Sequence, residues 1–116
     1  EIAQRGFPKH KVEAERHVVD RKLAVCAEHP ALAGLAKGTE FQTEFGDHMI
    51  FEPGPKGTVV VRNRFGDPVY VIGTVGKGSV VYSGCYYGYR HALAGAEKEL
   101  LLNLLRWLAS PPAKGH

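Results

Sequence analysis

The densest group of side chains able to do chemistry is Tyr86, Tyr87, Tyr89, Arg90 and His91, five of six consecutive residues. Tyrosine faces stack against sugars or against a partner's side chains, and a guanidinium grips a carboxylate or phosphate with two parallel hydrogen bonds. The group follows the apolar run Ser79–Ser83. It therefore falls in a loop beyond the C-terminal end of a strand, where open α/β sheets place ligands. Tyr86, Tyr87, Arg90 and His91 are the candidate ligand-binding residues, suited to a small carbohydrate or an anionic ligand. The same residue types suit a packed loop, with tyrosines capping the sheet and Arg90 in an internal salt bridge, and they fit that reading better.

Other positions offer less. Gly76-Lys77-Gly78 invites a phosphate-loop reading, but Ser79 stands two beyond Lys77 and no helix follows, so the segment reads as a hairpin turn. His10, His17 and His48 lack a second histidine or a carboxylate at helical spacing, which leaves a zinc site unsupported. Glu97, Glu99 and Asp47 form no acid–base pair that spacing alone would bring together. Cys26 and Cys85 make no metal spacing and are expected as free thiols, with pairing left open. No catalytic residue and no cofactor is expected.

The elements that must position these residues are legible from periodicity. Val69–Val75 and Ser79–Ser83 are apolar at alternate and intervening positions, which predicts two strands buried on both faces. Lys22–Ala27, Glu40–Glu44 and Val59–Val61 are shorter strand candidates. Pro30 opens a helical turn that Gly34 ends. Pro53–Gly57 is a rigid turn, and Arg62–Asp67 is a hairpin connection with Gly66 or Asp67 at positive φ. A helix over about Leu93–Ala109 carries a wide leucine arc and a narrow polar stripe of Glu99, Asn103 and Arg106. So apolar a helix is expected to pack on more than one side. Residues 1–20 read as an arm or peripheral helix, 21–110 as the fold, and 111–116 as a flexible tail after Pro111-Pro112.

Composition narrows the classes. The 116 residues suffice for one core, and 44% apolar with 23% charged content is that of an ordinary globular domain. A net charge of +3 is mild, and the basic residues are scattered, which argues against a nucleic-acid binder. No apolar run is long enough to span a membrane. A chain opening Glu1-Ile2 without methionine is consistent with a mature or excised product, so the compartment stays open.

Read in order, His29–Leu35, Val59–Val61, Gly66–Val71, Gly76–Gly84 and a terminal helix ending Leu101-Leu-Asn-Leu-Leu-Arg-Trp-Leu108 make an uncommon combination. Over about residues 23–109 it resembles the C-terminal half of the class I glutamine-amidotransferase-like fold. The nearest variety is that of trehalose-utilisation-like proteins and the middle domain of some bacterial β-galactosidases. The resemblance implies an α/β, partial flavodoxin-like layered sheet with a β-hairpin and a C-terminal packing helix. The first βαβ units of such a fold, with their parallel strands and half of the covering helices, are absent. Active members of the family carry a Gly-x-Cys-x-Gly elbow and a later His-Pro-Glu element. Here Gly84 directly precedes Cys85, Gly88 lies three residues on, His29-Pro30 is followed by Ala31, and His29 precedes the cysteine. Cys85 is thus expected as a loop or core thiol and His29 as the start of a helical turn.

Together these readings predict a non-catalytic amidotransferase-like interaction domain, associating with a companion chain or with itself through its apolar sheet face, in a setting of carbohydrate-related metabolism. The other class of reading is a hydrolase or amidotransferase-type enzyme whose site is completed across an interface, with Tyr87, Arg90 and His91 contributing.

Overall fold

In the computed structural model, residues 22–43, 50–51, 53–85 and 93–110 are described. Among the described residues five strands, β1 (Lys22–Val25), β2 (Glu40–Gln42), β3 (Thr58–Asn63), β4 (Pro68–Val75) and β5 (Gly78–Ser83), precede one α-helix, α1 (Gly95–Ala109). A 3-10 turn, Pro30–Leu32, lies between β1 and β2. The strands form a single sheet in the order β2-β1-β3-β4-β5, and each of its pairings is antiparallel. The unit is mixed α/β, and no parallel βαβ unit occurs among the described residues.

Glycine and proline set the connections. Gly76 at φ +60 lets Val75 and Gly78 close a two-residue hairpin loop. The β3–β4 connection is organised by Asn63, whose Oδ1 accepts from the backbone N–H of Phe65 and of Asp67, both at 2.9 Å. Gly66 takes φ +87 there, and its carbonyl accepts from Arg62 Nη1 at 2.7 Å. β1 is shorter than the run Lys22–Ala27 because the chain leaves the strand at Cys26, whose N–H still donates to Val60 O at 2.8 Å.

The core lies between the sheet and α1. Leu23, Val25, Val60, Val61, Tyr70 and Ile72 meet Leu32, Leu35, Leu100 and Leu104 in one apolar cluster. Each such side chain contributes about 1.5–3 kcal/mol when fully withdrawn from water. Val60 and Val61 both enter this cluster, although consecutive strand residues ordinarily face opposite ways. A register shift between Val59 and Val61 opposite β4 is the cause, because a bulge breaks the alternation. The opposite face of the sheet holds a smaller cluster of Phe51 and Val71, joined by Val59, Val80 and Tyr82. Ile50 and Phe51 divide between the two faces: Ile50 enters the main core and Phe51 the smaller cluster. Phe51 is held by its N–H donating to Pro68 O at 3.0 Å.

Two expectations need correction. β4 is buried on both faces, but β5 is only half-buried over most of its length because it is an edge strand. Val25, Val60, Val61, Val69 and Val71 are likewise buried by the chain itself, whereas Val59, Val80 and Val81 are half-buried, so the sheet offers less open apolar surface than its valine runs predict. Phe51 covers Val71 on the outer face. Among the described residues the exposed large apolar side chains are Phe65, Leu93, Leu102, Leu105 and Leu108, the last three on the C-terminal helix.

Fifteen residues make α1 about 22 Å long, and five strands span about 19 Å, so the helix reaches from β2 at one edge to β5 at the other. Its buried side is Glu97, Leu100, Asn103 and Leu104. Leu102, Leu105 and Leu108 are 40%, 53% and 39% exposed. The predicted polar stripe is therefore misplaced at Asn103, which is buried, whereas Glu99 and Arg106 are exposed. α1 is too short to cross a membrane, and no other helix among the described residues could.

Candidate functional site

Tyr86, Tyr87, Arg90 and His91 lie outside the described residues, as do residues 1–20 and 111–116, and with them His10, His17, Asp47 and His48. The chain on either side of residues 86–92 is described. On one side β5 runs out through Gly84, whose N–H donates to Val69 O at 2.8 Å, to Cys85, whose N–H donates to Ser83 Oγ at 3.1 Å. On the other side Leu93 and Ala94 lead into Gly95, at φ +58, the first residue of α1. Residues 86–92 therefore stand between an edge strand and the start of the helix that crosses the sheet.

Cys85 is buried and packs in the main apolar cluster, the setting of a structural thiol. α1 begins ten residues after it, so this helix terminus does not follow the cysteine as a nucleophile elbow requires. Cys26 is a free thiol at intermediate burial, its Sγ 3.4 Å from Val59 O.

Near the start of α1, Glu97 is only 4% exposed, and its carboxylate accepts from the Thr43 hydroxyl at 2.5 Å. This contact fixes the end of β2 to the first turn of the helix. Sequence spacing could not pair residues 54 positions apart. The one available signal was that Glu97 lies in the first turn of the helix, where the macrodipole favours an anion.

The best-defined polar arrangement is the seam between the 3-10 turn and the far half of α1. His29 is the N-cap of the turn: its Nδ1 accepts from Ala31 N–H at 3.1 Å, and Pro30 supplies the preset φ behind it. The imidazole meets the Trp107 ring edge-on, with centroids 5.3 Å apart. Burial lowers its pKa below the ordinary 6.5. An imidazole whose Nδ1 is engaged as an acceptor is neutral, with its proton on Nε2. Asn103 Nδ2 donates to Ala33 O at 2.6 Å, and its Oδ1 accepts from Arg106 Nη1 at 3.1 Å. Gly34, at φ +85, passes beneath Glu99, and a Cβ placed there would sit 3.0 Å from the Glu99 carboxylate. The two stretches His29–Leu35 and Leu101–Leu108 are thus in direct contact, which gives a packing reason for their joint presence in the sequence.

Chemically the seam is a fastening. Its imidazole is spent on an amide and an aromatic edge, and Ala31 stands where an orienting carboxylate would be needed for acid–base work. Among the described residues no three His, Cys, Asp or Glu side chains gather as a metal site. No protein-family model, no curated protein and no solved structure matches this chain.

Proposed function

We propose that this chain is a non-catalytic interaction domain of amidotransferase-like architecture, whose outer helix face is covered by a companion polypeptide. One observation carries the reading. α1 has a second apolar flank, Leu101, Leu105 and Leu108 at i, i+4 and i+7 with Leu102 beside them, and most of it faces water. Contiguous apolar surface of this kind marks an interaction site on a folded domain. Covering Leu102, Leu105 and Leu108 would contribute on the order of 1 kcal/mol each, half the value of full burial. Association costs about 4–15 kcal/mol in lost freedom, so the companion's contact extends beyond these leucines. A carbohydrate-related setting follows from the fold resemblance alone.

Coexpression with the polypeptides encoded beside this chain, followed by gel filtration and light scattering, tests the reading. A complex that forms with the native chain and is lost in Leu102→Glu/Leu105→Glu supports it. A native chain that stays separate from all of them, or a complex indifferent to that double substitution, refutes it.

A further inference from the structure

The edge of the sheet at β5 carries a separate message. Natural sheet edges are blunted by charge, proline, bulges or shortness. β2, at the other edge, has three residues and carries Glu40, which pairs with Lys22 at 3.5 Å. β5 has six residues, Gly78-Ser-Val-Val-Tyr-Ser83, with no charge and no proline, and its register against β4 is unbroken. Such an edge is a template for another strand.

In the hairpin turn the bonded pair is Val75 with Gly78, the first and last residues of the turn. Bonded and non-bonded pairs alternate along an antiparallel ladder. Gly73 with Val80 and Val71 with Tyr82 are then bonded pairs, and the Gly84 N–H to Val69 O contact of 2.8 Å continues the same series. The N–H and C=O groups of Ser79, Val81 and Ser83 therefore point away from β4, and among the described residues nothing pairs with them.

We infer that this edge pairs with β5 of a second copy, antiparallel and centred on Val81. In that register Ser79 faces Ser83 of the second copy, Val81 faces Val81, and Ser83 faces Ser79. These are the three positions whose backbone groups have no partner among the described residues, and each gives and takes one hydrogen bond across the joint. The side chains match as well. Val80 and Tyr82, which belong to the small outer cluster with Phe51, face Tyr82 and Val80 of the second copy. Val81, which packs on the main core, meets its own equivalent. The strand is nearly palindromic about Val81, with serine set against serine, aliphatic against aromatic and no charge against its like, so a two-fold antiparallel joint brings no repulsive pair together. The joint lies at the sheet edge, separate from the outer leucine flank of α1.

Light scattering of the full chain during gel filtration tests the inference. The expected mass is twice the 12.7 kDa of one chain. Ser79→Lys/Ser83→Lys, which sets lysine against lysine across the two-fold axis, should halve that mass. Mixing it with Ser79→Glu/Ser83→Glu should restore a dimer containing both variants, and Leu102→Glu/Leu105→Glu should leave the native dimer intact. A native chain of single mass, a dimer unaffected by the lysine pair, or one dissolved by the helix substitutions would overturn it. If the lysine pair prevents folding, hydrogen exchange of the native chain decides. Protection of the Ser79, Val81 and Ser83 amides that fades on dilution supports the pairing, and exchange at the free-peptide rate overturns it.

Discussion

Asn103→Leu removes the fastening between α1 and the 3-10 turn while keeping the number of side-chain heavy atoms. Asn103 is 9% exposed, and its amide donates to Ala33 O at 2.6 Å across 70 residues of chain. The substitution deletes that bond, worth about 0.5–1.5 kcal/mol net, and leaves the Ala33 carbonyl and the Arg106 guanidinium each short of a partner. Ala33 is itself exposed, so water can reach its carbonyl and the stranding penalty stays at the low end of its range of about 1–3 kcal/mol. The leucine returns part of this by burying apolar surface. The net loss is about 1–2 kcal/mol, or a fall in Tm of roughly 4–12 °C for a domain of this size. Circular-dichroism melts of Asn103→Leu and of a surface control, Leu102→Gln, measure it. Leu102 is 40% exposed, so the control should stay within about 0.5 kcal/mol of the native chain. Equal melting of Asn103→Leu and the native chain would refute the seam as a structural fastening.

Two further outcomes follow from the packing. The lowered pKa of His29 means that the unfolded chain takes up a proton near pH 6.5 that the folded chain refuses. Its contribution to stability is therefore complete above pH 6.5 and is lost as pH falls from there toward the folded pKa. His29→Asn, which keeps a capping acceptor without the titration, should flatten the pH dependence of Tm between about pH 7.5 and 5.5; an unchanged slope would contradict the assignment. Phe51→Ala empties the small cluster against Val71 and the Tyr82 ring, whose centroid lies 5.6 Å away, and should cost about 3–5 kcal/mol in urea unfolding. A loss below 1 kcal/mol would mean that the outer face is covered by something other than Phe51.

The features written in local chemistry were legible in the sequence. Gly76, Gly66, Pro30 and Gly34 mark the turns because each turn needs the φ that its residue supplies. The valine runs mark β3 and β4. What was illegible depends on partners distant in the chain. Asn103 sits at the border of the apolar arc, and only the carbonyl of Ala33 draws it inside. Glu97 is buried because Thr43 ends β2 beside it. The bulge that turns both Val60 and Val61 inward has no periodic signature, so alternation alone places one of the two valines on the outer face. The leucine arc predicts packing on more than one side, and among the described residues one of those sides is open. The tyrosine–arginine cluster falls in residues 86–92, outside the described part.

Hydroxyl-radical footprinting compares Leu102, Leu105 and Leu108 in the isolated chain and inside the cell that makes it, with Leu100 and Leu104 as buried references. An outer flank covered by a companion predicts oxidation of the three leucines falling several-fold in the cell toward the level of the references. Equal oxidation in both settings would contradict it.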